Sequence, residues 1–135
     1  MRKKNKILLV ATIVVGALVL LAWYPFPAGD IPQWKLTVID ASGNVSPLAT
    51  AHEEWMDPIQ EGMTFADSKD ADKNGEVVFP VRHLHNRLIF GNLRQHPSAH
   101  VFVCLNDQFG DVFWDEQHPE LPRKIVLRKA GCGYG

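Results

Sequence analysis

The chain has 135 residues, room for one domain, and its 46% hydrophobic and 21% charged residues are the composition of a globular protein. Arg2, Lys3, Lys4 and Lys6 take four of the fourteen basic residues, so the remainder sets ten Lys and Arg against fifteen Asp and Glu. A net negative domain has no electrostatic footprint for a phosphate backbone, which excludes nucleic acid as a partner.

Behind the basic tip no charged residue occurs from Ile7 to Gly29, and residues 7–23 (ILLVATIVVGALVLLAW) are almost wholly aliphatic. As a helix these seventeen residues reach about 25 Å, the short end of a bilayer span. They are apolar on every face and lack the single stripe that packs a helix into a soluble core. Trp23 and Tyr24 suit the aromatic belt of a membrane interface, and Pro25 and Pro27 stop the helix. A signal-peptidase site needs small residues two apart, whereas Leu20 stands before Ala22 and Phe26 before Ala28, and no Cys follows to accept a lipid. Residues 1–29 therefore read as a cytoplasmic tip and an uncleaved signal anchor, with a cleaved signal peptide as the alternative. The excess of basic residues at the start leaves the N-terminus in the cytoplasm and residues 30–135 outside, in a periplasm or on a cell surface.

Past Pro32 the pattern changes to short apolar alternations separated by turn residues, the mark of antiparallel strands with one buried face. In residues 34–40 (WKLTVID) Trp34, Leu36 and Val38 share one face, and Ser42, Gly43 and Asn44 then supply a turn. Further strands are expected at 48–55, 63–66, 76–79, 99–105, 111–115 and 124–129, while 80–95 fits a short helix or an extended crossing. Seven short strands predict an all-β sandwich.

The strand that runs into VIDASG, a longer connection, and then Asp72-Lys73-Asn74-Gly75-Glu76-Val77-Val78-Phe79-Pro80 together resemble the carboxypeptidase regulatory-like domain of the transthyretin-like group. Members carry a first strand ending in Asp-x-x-Gly and a later Asp-x-x-Gly turn that leads into a strand ending in Phe. The resemblance covers residues 34–129. It implies a seven-stranded transthyretin-like or Ig-like β-sandwich that serves as an accessory, scaffolding or binding module. Two enzyme types of the group can be compared with the chain. Hydroxyisourate hydrolases end in Tyr-Arg-Gly-Ser, but this chain ends Gly131-Cys132-Gly133-Tyr134-Gly135. Intradiol dioxygenases hold iron through two Tyr and two His, and the tyrosines here are Tyr24 and Tyr134. The expectation is a non-catalytic module without a cofactor, partnered by the membrane through residues 7–23 and by an envelope protein or surface polymer. A small hydrolase or metal-dependent enzyme of the same group is the alternative.

Individual residues point the same way. Asp70, Asp72 and Asn74 with Gly75 begin like a calcium loop, but the place of the closing bidentate Glu is taken by Val81. Asn74-Gly75 reads instead as a two-residue hairpin turn. His83 and His85, two apart, would share one face of a strand and are weak metal candidates, since spacing nominates no third ligand among His52, His96, His100 and His118. Ser42, Ser46, Ser68 and Ser98 sit in turn-like polar surroundings and read as turn formers rather than nucleophiles. Of the aromatic residues Trp34, Trp55, Phe79, Phe102, Phe113 and Trp114, most belong in the core. Phe113 and Trp114 are adjacent and point to opposite faces of a strand, so one of them is the candidate contact residue.

Cys104 and Cys132 would pair in an oxidising compartment and stabilise the fold by roughly 3 to 4 kcal/mol. Bridging needs Cα atoms within about 7 Å, which the tail reaches only by folding back over the strand that carries Cys104. The favoured alternative is a core-buried Cys104 with a free thiol on Cys132.

Overall fold

The computed structural model describes residues 2–59 and 63–132. Tyr134 and its two glycine neighbours, which bear on the likeness to hydrolases and dioxygenases, lie outside the described residues. Helix α1 (Lys3–Trp23) is followed by β1 (Phe26–Ile31), β2 (Trp34–Ile39), β3 (Thr50–Met56), β4 (Thr64–Asp70) and β5 (Glu76–Phe79). Then come β6 (Arg82–Asn86), β7 (Ser98–Leu105), β8 (Gln108–Asp115), β9 (Lys124–Val126) and β10 (Arg128–Lys129).

The basic residues join α1 and lengthen it to 21 residues, about 31 Å at the helical rise. It is long and apolar enough to cross a membrane, and none of its residues is buried against the rest of the protein. Its carbonyl end passes into β1 through Tyr24 and Pro25 alone.

The strands form a five-stranded sheet ordered β10-β8-β7-β3-β4, a three-stranded sheet ordered β5-β2-β9, and the pair β1-β6. Pairing Ile31↔Arg82 and Trp34↔Phe79 share one antiparallel register, so β1–β2 and β5–β6 make one long ribbon interrupted at Pro32 and Pro80. Proline lacks the N–H a ladder requires, which explains the interruption on both strands. Phe26 and Asn86 end the ribbon beside α1, while Thr37 and Glu76 stand at its far end. One core unites Trp34, Leu36, Val38, Phe79 and Ile125 of the three-stranded sheet with Ala51, Val101, Val103 and Trp114 of the five-stranded sheet. Ile31 and Leu84 add the half of the ribbon nearer α1 to it.

Each of the seven expected strands has a counterpart, and three differences have local causes. Strands β1 and β6 escape a search for alternation because Pro27 and Gly29 break the first and four of the five residues of RHLHN are polar. The expected 124–129 strand divides at Leu127, whose N–H donates to Ile39 O while the chain leaves one sheet for the other. Strand β9 runs parallel to β2, so that pairing is not the antiparallel one expected.

Asn74-Gly75 is not a two-residue hairpin turn, because β4 and β5 belong to different sheets. Asp72 Oδ1 accepts the N–H groups of Asn74 and Glu76, and Gly75 N–H donates to Asp72 O. Asp40 repeats these bonds with Ser42, Asn44 and Gly43. Both Asp-x-x-Gly segments are therefore the same carboxylate-capped loop, closed by a glycine at φ +87° in Gly43 and +71° in Gly75.

Candidate functional site

Alternation along the five-stranded sheet sends Ala51, Val101 and Trp114 inward and His52, Glu54, His100, Phe102, Phe109 and Phe113 to the opposite face. The register sets His52 opposite Phe102, Glu54 opposite His100, and His100 opposite Phe113. Cross-strand partners at this spacing meet ring to ring. Phe102 is 5% exposed although it points away from the core, because His52 and Phe109 stack on it at 5.2 and 6.4 Å and the tilted His100 ring lies at 5.6 Å. Phe113 stands at the edge of this cluster, 57% exposed, with His100 at 6.4 Å. Beside it lies an open hollow of about 190 Å³, lined by Glu54, Met56, Thr64, Ser98 and His100 among others.

Hydrogen bonds hold the ring edges. His100 Nε2 lies 3.1 Å from Asp111 Oδ2, and His52 Nδ1 lies 2.7 Å from Ser68 Oγ. Ser68 is thus a strand residue of β4, and Ser98 one of β7, rather than the turn formers expected. A serine nucleophile needs a histidine whose second nitrogen is held by a carboxylate. Among the described residues no carboxylate bonds His52. What the face offers is apolar ring area bordered by donors and acceptors, which suits stacking and edge hydrogen bonds.

Directly beneath, the inner face carries a polar group that the alternation of β3 contains but that no motif in the sequence marks. Glu53 lies between Ala51 and Trp55 on that face and is 0% exposed. Arg82 of β6 donates from Nε and Nη2 to Glu53 Oε2 at 3.0 and 2.7 Å, and from Nη2 to Asp67 Oδ2 at 2.6 Å. Its guanidinium also covers the Trp55 ring at 4.2 Å. Among the described residues Glu53 Oε1 has no hydrogen-bond partner. Burial lifts the Glu53 carboxyl above the ordinary range despite Arg82, whereas the Arg82 hydrogen bond draws Asp67 below it.

Of the adjacent candidates, Phe113 is at the surface and Trp114 is not: it is 5% exposed and donates from Nε1 to Pro119 O, so it is corrected to a core residue. His83 and His85 do point to one exposed side of β6, but they do not converge with further ligands. His83 Nδ1 pairs with Asp30 at 2.9 Å, and among the described residues no three His, Cys, Asp or Glu side chains are grouped to hold a metal. Cys104 is exposed, not buried in the core, and the structure joins it to Cys132 in a disulfide with Cα atoms 5.7 Å apart. Pairing of β10 with β8, and the Gly131 N–H bond to Asp107 O, fold the tail back over the β7–β8 turn.

A second, larger hollow of about 830 Å³ lies along the exposed side of β2, among Lys35, Thr37, Glu120 and Arg123. It is lined by solvated side chains and no aromatic ring. No family model matches the chain, and no curated protein matches it significantly.

Proposed function

We propose that the chain is a membrane-anchored, extracytoplasmic accessory or binding module without catalytic activity. In this reading α1 is an uncleaved anchor with its N-terminus in the cytoplasm. The strands form a transthyretin-like β-sandwich that resembles the carboxypeptidase regulatory-like domains. The observation that carries the proposal is α1 itself: 21 residues, basic in its first turn and apolar on all sides from Ile7 onward, unburied, and running straight into a folded β domain. A disulfide between Cys104 and Cys132 supports an oxidising compartment for that domain.

The ring face around Phe113 is the contact surface, and its occupant is a side chain of an envelope protein or a unit of a surface polymer. A hollow of about 190 Å³ is smaller than the roughly 300 Å³ at which small-molecule pockets begin. It therefore suits one ring or one side chain presented by something larger. The test is retention of envelope proteins and polysaccharide fractions by the full chain in detergent, compared between the wild type and Phe113→Ser. Loss of a retained species in the variant, with unchanged melting, supports this face; equal retention places the contact elsewhere.

A further inference from the structure

The exported domain makes a second contact with the bilayer. We propose that the loop after β6, residues 87–94, inserts its apolar side chains into the outer membrane interface beside the end of α1. This rests on the reading of α1 as a membrane anchor and adds a lipid-binding surface to it.

Register fixes the place. Asn86, the last residue of β6, pairs with Phe26, the first of β1, and Phe26 follows α1 after only Tyr24 and Pro25. The chain leaving β6 must therefore emerge level with the helix end. It does so in contact: Ile89 N–H donates to Ala22 O at 3.1 Å, satisfying a carbonyl that the last helical turn leaves without a partner. The Phe90 ring meets Trp23 edge-on at 5.5 Å, and the Arg87 guanidinium lies over the same indole at 5.7 Å.

Composition of the loop suits lipid and not water. Leu88 is 61% exposed, Phe90 72% and Leu93 59%, three large apolar side chains within six residues. Phe90 holds φ +62°, a left-handed conformation that a bulky residue adopts only when its surroundings impose it. Arg87 and Arg94 bracket the apolar group, the arrangement in which guanidinium groups meet headgroup phosphates while the residues between them reach the acyl boundary. Trp23 and Tyr24 mark that same depth on the helix. The two-residue connection leaves the domain little slack, so the loop and α1 together fix how the domain stands on the membrane.

The test uses the full chain in phosphatidylcholine–phosphatidylglycerol vesicles with a fluorescent label on one introduced thiol, the native pair being closed. Phe90→Cys and Leu93→Cys probe the loop, the latter with Phe90 intact. Val14→Cys probes the middle of α1, and Lys73→Cys probes the far end of the ribbon. Labels at 90 and 93 are expected to shift to shorter wavelength and to lose intensity to spin-labelled lipid carrying its nitroxide near the headgroup. The label at 14 is expected to respond to a nitroxide deep in the acyl chains, and that at 73 only to aqueous iodide. If 14 responds to lipid while 90 and 93 behave like 73, the loop stands in water and the inference is overturned with the anchor intact. If 14 also behaves like 73, the anchor reading fails and the inference falls with it.

Discussion

Replacing Arg82 by Met removes the cation that meets the buried Glu53 carboxylate while keeping most of the volume of its stem. Glu53 is fully buried with Oε1 already unpartnered among the described residues, so the carboxyl left behind must either stay charged in the core or take up a proton. Proton uptake sets the ceiling. With an unfolded pKa of about 4.3, protonation at pH 7 costs about 3.7 kcal/mol, near the 3 to 5 kcal/mol typical of breaking a buried pair. Loss of the cation over Trp55 adds about 1 kcal/mol that does not depend on pH. The sign of the pH dependence follows from the two carboxyls. Glu53 is already raised by burial and rises further without Arg82, so its contribution to stability is lost as pH rises through that folded value. Asp67 is depressed by Arg82, and the stability this brings is present above its unfolded value and is lost as pH falls. Both deficits of the variant therefore close in acid. Urea unfolding of the full chain in detergent micelles, followed by tryptophan emission, should show Arg82→Met about 4 kcal/mol less stable at pH 7, with the gap narrowing toward pH 5 by at most about 1.4 kcal/mol per unit. Adding Glu53→Leu should recover most of the loss at pH 7. A loss below about 1 kcal/mol, or one of the same size at both pH values, would refute the reasoning.

Gly75→Val should destabilise the domain by about 2 kcal/mol or more, because a Cβ at φ +71° would also stand 2.9 Å from Val38 O; thermal unfolding checks this. Calcium should leave the melting temperature of the wild type unchanged, since Asp72 Oδ1 is occupied by backbone N–H groups. Thiol titration of unfolded protein purified without reductant should find no free thiol, and two would rule out the bridge. Cys104→Ser with Cys132→Ser, which opens a link between residues 28 apart, should lower stability by roughly 3 to 4 kcal/mol in urea unfolding.

Strands whose alternation is clean are legible from their residues alone: Trp34, Leu36 and Val38, or Val77 and Phe79, announce both their conformation and their buried face. Strand β3 shows where such reading stops short. The alternation that puts Ala51 and Trp55 inside also puts Glu53 there, and an inward acid calls for a cation, yet nothing in the chain nominates Arg82, 29 residues on. Strands β1 and β6 are hidden because Pro27 and Gly29 interrupt the first and the second is polar apart from Leu84, although Ile31 and Leu84 both reach the common core. The ring cluster sets β3 beside the β7–β8 hairpin, which is distant from it in sequence, so Phe113 can be nominated alone but the stacking of His52 on Phe102 cannot. For Cys104, a position within an apolar run suggests burial, whereas register places it on the outer face.

The central claim is a β domain held outside the cytoplasm by an uncleaved N-terminal helix. A reporter active only outside the cytoplasm, fused after Gly135 and assayed in alkaline-washed membranes, tests it most directly. The account predicts activity that stays with the washed membranes. A silent reporter would contradict export, and an active reporter released into the wash would contradict the anchor.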